Sequence, residues 1–200
     1  MAILIQMILA YLLGSIPSGV WLGKLIYGKD IRDYGSGNTG ATNTFRILGV
    51  KAGTIALILD ILKGLIATLI PIYFETNIHP VFIGLFAILG HVFSIYINFQ
   101  GGKAVATSAG VLLAIHPLYL LAAVLFFLIV LFLTSTVSIA SITASIGAAI
   151  FSIFLNDPIF AGIVFLLALA ILYLHRENID RIRKGTENRV PFGLKPREKE

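Results

Sequence analysis

The feature that most constrains this chain is an almost uncharged stretch in its second half. Between Lys103 and Arg176 lie 72 residues that carry a single formal charge, that of Asp157. A soluble domain has about 25% charged residues, whereas this chain has only 12% charged and 58% hydrophobic residues. So few charges cannot cover a water-exposed surface, and so much apolar surface excludes disorder. The sequence therefore predicts an all-α integral membrane protein.

Seven segments are candidates for helices that cross a bilayer, which takes about 20 apolar residues each. Their predicted bounds are 2–26, 52–74, 80–99, 104–115, 118–133, 138–155 and 158–174. Pro117 and Pro158 separate the later segments, because proline disfavours helix at the residue before it. We expect a single membrane domain over 1–200 that ends in a tail at 175–200. A cleaved signal peptide is an alternative for the first segment, but no positively charged residue precedes it.

The basic residues predict the orientation of the chain. With seven spans, the N-terminus shares one side of the membrane with the loops 75–79, 116–117 and 156–157, and none of the 15 Lys and Arg residues falls there. The positive-inside rule then places the C-terminus in the cytoplasm and the N-terminus outside. We expect a multi-pass protein of the plasma (inner) membrane whose chemistry lies on the cytoplasmic side, because the outer loops are nearly bare of polar groups.

A glycine-rich polar loop follows the first span, from Tyr34 to Arg46. Glycines let backbone N–H groups converge on an anion, and the guanidinium of Arg46 is a planar fork for phosphate. The alternative is a flexible loop of turn residues. No Walker or dinucleotide pattern is present, which disfavours a nucleotide site. The candidate residues of this loop are Ser36, Gly37, Asn38, Thr39, Thr42, Asn43 and Arg46.

A second candidate site is formed by Gly101, Gly102 and Lys103, just before the short segment 104–115. Twelve helical residues cover only about 18 Å of a hydrocarbon layer about 30 Å thick. The segment is therefore expected to re-enter the membrane or to start below its surface. Its N-terminus and Lys103 would then face a cavity and favour an anion, with Thr107 one turn later. The alternative is a lysine that extends to the membrane interface.

Further polar residues lie inside the predicted spans. Asp60 and Lys63 are one turn apart, and two interpretations remain open for them, a structural ion pair or the lining of a site. His91 is a weaker candidate for a site. Ser138 and Ser141 have the small side chains that mediate helix packing in membranes, although either one could also reach a cavity at the cytoplasmic end.

The tail after the last span is rich in basic residues, which is typical of a juxtamembrane segment attracted to anionic lipids. That attraction does not explain His175 and Glu177, nor the run Gly185-Thr-Glu187. These residues predict a tail that folds back on the other loops.

Five motifs in this order resemble the bacterial acyl-phosphate:glycerol-3-phosphate acyltransferases, a family of membrane-integral enzymes. They are Gly14-Ser-Ile-Pro-Ser-Gly19, Gly35-Ser-Gly-Asn-Thr-Gly-Ala-Thr-Asn43 with Arg46, Asp60-Ile-Leu-Lys-Gly64, Gly101-Gly-Lys-Ala-Val-Ala-Thr107, and His175-Arg-Glu-Asn-Ile179 with Gly185-Thr-Glu187. The resemblance covers nearly the whole chain. It implies a seven-span enzyme of phospholipid biosynthesis that transfers an acyl group from acyl phosphate to the 1-hydroxyl of glycerol 3-phosphate. The products would be 1-acyl-glycerol-3-phosphate (lysophosphatidic acid) and phosphate.

The resemblance also implies roles for the motif residues. The first loop, with Ser36 and Arg46, would bind a phosphate or align the reacting groups. Lys103 and Thr107, with the amides of Gly101 and Gly102, would hold the glycerol phosphate or the leaving phosphate. The tail residues His175, Asn178 and Glu187 would close or shape the site. We expect Ser36, Arg46, Lys103 and His175 to be the catalytic residues.

The proton of the attacking hydroxyl needs an acceptor, and the polar loops contain no obvious base. A substrate phosphate, with a second pKa near 6, is therefore expected to accept it, with Ser36 orienting groups and forming no acyl-enzyme. We expect no metal and no cofactor, because the chain has no cysteine and no carboxylate–histidine cluster with ligand spacing. The expected partners are acyl phosphate, glycerol 3-phosphate and membrane lipids, with no nucleic acid, and the protein is expected to be a monomer.

Three other interpretations compete with this one. A transporter for an anionic solute would also use broken helices, but it needs access from both faces. The outer side offers no polar cluster beyond His79, His116 and Asp157. A structural scaffold would leave the clustered glycines unexplained. His175 and Asp180 fit a His-x4-Asp spacing of other glycerolipid acyltransferases, but that motif belongs to a cytoplasmic α/β domain, so we interpret the match as coincidence.

Overall fold

The computed structural model describes residues 2–196, which form helices, turns and loops but no strand. The α-helices of this part are α1 (Ala2–Ser15), α2 (Ser18–Tyr27), α3 (Ala41–Tyr73), α4 (Pro80–Val92), α5 (Val105–Ile115), α6 (Pro117–Thr134), α7 (Val137–Ser152), α8 (Pro158–Leu174) and α9 (Arg176–Arg183). Short 3-10 turns lie at Ile31–Asp33, Ile95–Ile97 and Ile153–Leu155. The chain divides into two compact units, Met1–Pro117 and Leu118–Glu200. The predicted all-α class is confirmed for the described residues.

Four helical segments between residues 2 and 196 are long and apolar enough to cross a membrane, namely Ala41–Tyr73, Pro80–Ile97, Pro117–Thr134 and Val137–Leu155. The pairs α1–α2 and α8–α9 are bent by 46° and 53°, and counting each pair as one span raises the number to six. Helix α5 is apolar but has only 11 residues. Seven spans therefore stay a prediction.

Several helices begin or end away from the bounds predicted for the spans. The segment 2–26 is two helices, because Pro17 lacks an N–H and disfavours helix at the residue before it. Helix α3 begins at Ala41 rather than near residue 52, and its path breaks at Gly49, which has a φ of 83°. Helix α4 ends at Val92, so the remainder of 80–99 is a 3-10 turn and loop.

In the first unit, helices approach each other closely at glycines. Helix α3 packs against α5, and a Cβ atom on Gly64 would lie 2.1 Å from the carbonyl oxygen of Thr107. A Cβ atom on Gly110 would lie 2.0 Å from the carbonyl oxygen of Ile61. Only glycine fits at these two positions. Because lipid tails are as apolar as the side chains, the hydrophobic effect does not drive helices together in a membrane. Close backbone contact at these glycines supplies van der Waals packing instead.

In the second unit, α7 packs against α8, while most side chains of α6 are exposed, among them Leu125, Ile129 and Phe132. A helix that is apolar all round and exposed suits a lipid environment. The tail returns to the connection between α6 and α7, where the Val190 N–H donates to the Ser135 carbonyl at 2.8 Å. The predicted fold-back of the tail is confirmed for this loop.

Candidate functional site

The glycine-rich loop is organised by Asn43, which lies in the first turn of α3 and is 1% exposed. Its Nδ2 donates to the carbonyls of Ile31, Tyr34 and Asn38 at 2.8, 3.2 and 3.0 Å. Its Oδ1 accepts the N–H of Ser36 at 3.0 Å. The amide of Asn43 therefore orders the loop. Its hydrogen-bonding groups are thus engaged by the backbone, and the expectation that Asn43 binds a phosphate or aligns the reacting groups stays a prediction.

The loop presents part of the predicted site at its surface and turns the rest inward. The exposed members are Ser36, Gly37, Thr42 and Arg46. The side chain of Asn38 accepts the N–H of Gly40 at 2.9 Å, and Thr39 is buried. Helix α3 begins one residue after Gly40, so the positive end of its dipole lies beside the exposed members. This surface is suited to an anion.

An ionic cluster that the sequence analysis missed anchors the start of the same loop. Asp30 pairs with Arg32 at 2.6 Å and with Lys24 at 3.0 Å, and it accepts the backbone N–H of Arg32. The hydrogen bonds from Arg32 hold the pKa of Asp30 well below its usual range, although burial opposes them. The close spacing of opposite charges after α2 was the signal available in the sequence.

Asp60 and Lys63 form a buried ion pair inside the first unit, with 2.9 Å between Asp60 Oδ1 and Lys63 Nζ. Lys63 also donates to the carbonyl of Ile16 at 2.9 Å, and the hydroxyl of Ser18 donates to Asp60 at 3.0 Å. Ile16 and Ser18 flank Pro17, where the α1–α2 path is interrupted. At this break the Ile16 carbonyl and the Ser18 hydroxyl lie in an apolar region, and the ion pair supplies their hydrogen-bond partners.

His91, at the end of α4, extends this cluster towards α5. Its Nδ1 lies 3.1 Å from Thr107 Oγ1 and 3.8 Å from Asp60 Oδ1. All three residues are buried. Thr107 thus contacts the buried cluster, and the weak sequence candidate His91 proves to be one of its central members.

The two glycines before Lys103 use their amides within the fold. The Gly101 N–H donates to the Val92 carbonyl at 2.9 Å, and the Gly102 N–H donates to the His91 carbonyl at 3.0 Å. The single hydrogen of each amide thus bonds to α4 in this structure, and a role of these amides in holding a phosphate stays a prediction. Lys103 follows directly, is half-buried, and precedes α5 by two residues.

A cavity lies where the glycine-rich loop meets the buried cluster. Its polar lining includes Ser18, Thr39, Asp60, Lys63, His91 and Ser94, and Gly101 also borders it. The lining of the cavity therefore includes Thr39 of the first predicted site, Gly101 of the second, and the Asp60–Lys63 ion pair. Ser36 and Arg46 lie outside its lining, on the exposed face of the loop.

The second unit contains a separate polar cluster centred on Glu187. Its carboxylate accepts from Ser138 at 2.8 Å, from Asn178 at 2.6 Å and from Arg181 at 2.7 Å. Burial alone would raise the pKa of Glu187, but these hydrogen bonds outweigh it and hold the pKa below its usual value. Gly185, with a φ of 71°, allows the reversal that brings Glu187 back towards α9. Glu187 therefore fastens the tail.

His175 lies buried at the bend between α8 and α9. Its Nδ1 is 2.8 Å from the Ile171 carbonyl, which can only accept, so Nδ1 carries a hydrogen and Nε2 of the neutral ring is an acceptor. Asp180 pairs with Lys184 at 2.7 Å. Ser141 is buried in α7. Within residues 2–196 no group of three or more His, Cys, Asp or Glu residues could hold a metal ion.

Bundled apolar helices that enclose a buried ion pair beside a glycine-rich loop define a membrane protein with an internal polar site. The family model of glycerol-3-phosphate acyltransferases matches residues 4–185. The chain belongs to this family, whose members are integral membrane acyltransferases of phospholipid synthesis. The resemblance inferred from the five motifs is thereby confirmed at the level of the family.

Curated relatives and solved structures cover nearly the whole chain. A glycerol-3-phosphate acyltransferase of Streptococcus thermophilus (strain CNRZ 1066) is 50% identical over an alignment of 204 positions, which covers 97% of this chain and 96% of that protein. One from Listeria monocytogenes serotype 4a is 51% identical over an alignment of 188 positions, which covers 92% of this chain and 95% of that protein. The crystal structure of PlsY (YgiH), an integral membrane glycerol 3-phosphate acyltransferase, in its glycerol 3-phosphate form has 41% identity, a TM-score of 0.89 and 94% coverage of both chains. Its lysophosphatidic acid form has a TM-score of 0.86 at 41% identity, with 93% and 94% coverage.

Proposed function

We propose that this chain transfers an acyl group from an acyl phosphate to the 1-hydroxyl of glycerol 3-phosphate, giving 1-acyl-glycerol-3-phosphate and inorganic phosphate. The observation that carries the proposal is the glycine-rich loop, whose exposed Ser36 and Arg46 lie beside the N-terminus of α3. This surface suits a small anionic substrate, and the apolar helices that continue from the loop suit a substrate with an apolar tail. The related PlsY structures, described as glycerol 3-phosphate and lysophosphatidic acid forms, support the same acceptor and product.

In the proposed reaction, the glycerol hydroxyl oxygen attacks the acyl carbonyl carbon. A new ester bond forms, the bond between the acyl carbon and the phosphate oxygen breaks, and the phosphate leaves with the bonding electron pair. The hydroxyl proton goes to an oxygen of a substrate phosphate, whose second pKa near 6 suits this role. His175, with Nε2 as an acceptor, is the alternative base.

The charged and polar residues have distinct roles in the proposed reaction. Arg46 and Lys103 bind phosphate oxygens and stabilise the charge that develops on the leaving group. Ser36, exposed beside the N-terminus of α3, orients the reacting groups. Asn43 holds the loop that carries Ser36, while Asn178, hydrogen-bonded to Glu187, holds the tail segment after His175.

We also propose the arrangement in the membrane: seven spans, N-terminus outside, C-terminus and active site on the cytoplasmic side of the plasma membrane. The α1–α2 and α8–α9 pairs, together with α3 to α7, give seven apolar helical segments, and the basic residues are segregated as the positive-inside rule requires. The chain has no cysteine, so a single introduced thiol reports one position.

Labelling with an impermeant thiol reagent in intact cells tests this arrangement at three exposed positions. Cysteine at Thr42 or Thr186 should be protected until the cells are opened, whereas cysteine at Asn77 should react at once. Reaction of Thr42→Cys from outside would overturn the proposed orientation.

The donor is tested with purified protein in lipid nanodiscs supplied with glycerol 3-phosphate and one of three donors: acyl phosphate, acyl-CoA or the acyl thioester of acyl carrier protein. Mass spectrometry should detect lysophosphatidic acid and an equal amount of phosphate with acyl phosphate alone. Turnover only with a thioester donor would refute the donor proposal, and a 2-acyl product would refute the regiochemistry. Light scattering of the same sample tests the predicted monomer. Family membership decides against the transporter alternative.

A further inference from the structure

We propose that His91 is a positioning residue for this reaction: it fixes the segment Gly101–Thr107 and thereby sets the place of Lys103. The inference rests on the proposed function only in taking Lys103 as a phosphate-binding residue. His91 belongs to none of the five motifs and does not itself contact the reacting atoms in this account.

The first contact of His91 is with the glycines before Lys103. The Gly102 N–H donates to the His91 carbonyl at 3.0 Å, next to the equivalent bond between Gly101 and Val92. A Cβ atom on Gly102 would lie 2.3 Å from Nε2 of the His91 ring. The imidazole therefore fills the space that any side chain at Gly102 would need, and the backbone before Lys103 lies directly against the ring.

The second contact is with the residue one turn into α5. Thr107 Oγ1 lies 3.1 Å from His91 Nδ1, and both side chains are buried. Between the two contacts, Ala104 adopts a left-handed conformation with a φ of 55° where α5 begins. Because His91 contacts the segment on both sides of Lys103, the backbone of Lys103 has little freedom to move.

His91 is itself held from behind. Asp60 Oδ1 lies 3.8 Å from its Nδ1, and Asp60 is fixed by Lys63 and Ser18. The ring therefore lies beside the Asp60–Lys63 ion pair. The contacts thus run from the ion pair through His91 to Gly102. They explain the glycine at position 102 by its packing against His91 and not by phosphate binding.

The experiment is a pair of suppression tests, in which steady-state KM and kcat are measured with whichever acyl donor the wild type uses. Gly102→Ala should lower kcat/KM by about tenfold or more, since a displacement of about 1 Å can cost roughly 10²-fold in rate. His91→Ala alone should lower kcat/KM by less than Gly102→Ala does, because Lys103 loses its support but no clash is introduced. In the double variant His91→Ala/Gly102→Ala the clashing ring is gone, so kcat/KM should recover at least about fivefold over Gly102→Ala.

The matched control is Gly101→Ala, whose Cβ would lie 1.9 Å from the backbone carbonyl of His91. Changing the His91 side chain does not remove that oxygen, so His91→Ala should not rescue Gly101→Ala. A Gly102→Ala variant that His91→Ala leaves unimproved, or equal rescue of both glycine variants, would overturn the proposal.

Two further measurements separate other causes of failure. Melting temperatures of all variants show whether a loss of activity is a loss of folding, and His91→Asn, which keeps a side-chain amide near Thr107, supplies a milder second variant. If Lys103→Ala retains full activity, the proposed role of Lys103 is wrong even where the suppression succeeds. Failure of acyl phosphate as donor would refute the proposed function and leave the suppression test intact.

Discussion

Exchanging Asp60 for asparagine and Lys63 for methionine, singly and together, decides whether this pair is structural or binds substrate. Both residues are at most 4% exposed. Each single exchange nearly preserves shape but leaves one buried charge without its partner, which typically costs about 3–5 kcal/mol. The double exchange leaves no charge. The carboxamide introduced by Asp60→Asn can still accept from Ser18, and the Ile16 carbonyl keeps its bond from the Ser18 N–H at 3.1 Å.

The double variant should therefore lose only about 1–2 kcal/mol, because one hydrogen bond to a buried group is removed and no buried charge is left unpaired. The sum of the two single costs would be about 6–10 kcal/mol. The costs of the two exchanges in free energy of unfolding are therefore not additive. Their coupling free energy is expected to be several kcal/mol and to offset most of the two single costs. The double variant should be more stable than either single variant.

The free energy of unfolding is measured by titration with SDS in mixed micelles. Lys184→Met serves as a control, since the Lys184–Asp180 pair is 66% and 58% exposed and an exposed pair contributes about 0–1 kcal/mol. A double variant that loses the full sum of the single costs would refute the structural ion pair. A double variant that is stable but inactive would instead assign the pair to substrate binding.

Other substitutions test the remaining parts of the site. Arg46→Ala should lower kcat/KM by about 30- to 1000-fold, because a charged bond to phosphate stabilises the transition state by about 2–4 kcal/mol. The melting temperature should fall only slightly, since the bond that Arg46 donates to Asn43 Oδ1 is long, at 3.4 Å. Lys51→Ala, on the exposed side of α3, should change kcat/KM by less than about twofold. Because the pKa of Glu187 is held below its usual value, the tail should be fully fastened above about pH 4 and released as the pH falls through the lower, folded pKa. Pepsin cleavage between about pH 2 and 5 measures that release, and Glu187→Gln should abolish its pH dependence. Gly64→Ala should lower the melting temperature, since its Cβ would lie 2.1 Å from a carbonyl oxygen of α5 and overpacking costs about 1–3 kcal/mol, whereas Gly162→Ala in open space should not.

Regular spacing made part of this arrangement predictable from the sequence. Residues three apart on a helix lie on the same face, so Asp60 and Lys63 could be expected to pair inside one span. The bond from Lys63 to the Ile16 carbonyl could not be expected, because a backbone acceptor 47 residues away leaves no trace in the pattern of side chains.

Polar residues in the loops were recognised, but the direction in which each side chain points was not. Asn43 and Ser36 both carry donors and acceptors suited to phosphate, yet Asn43 turns inward and orders the loop while Ser36 is exposed. In the sequence, Gly102 could supply a backbone amide to a phosphate or leave room for a neighbouring side chain. The position of the His91 ring favours the second interpretation. Arg181 looked like one of several basic residues attracted to lipid, whereas it pairs with Glu187 at 2.7 Å.

The helix break at Ile16–Pro17 has a consequence for how the protein enters the membrane during synthesis. A charged residue near the centre of a span raises the apparent free energy of insertion by about 2.5–3.5 kcal/mol. Two of the charged residues of α3, Asp60 and Lys63, lie deep in its apolar part. Their partners, the Ile16 carbonyl and the Ser18 hydroxyl, leave the ribosome first. When α3 reaches the translocon, the groups that receive its charges are already in the bilayer. We therefore expect insertion of α3 to depend on the preceding α1–α2 segment, so that the break serves as a docking point in biogenesis.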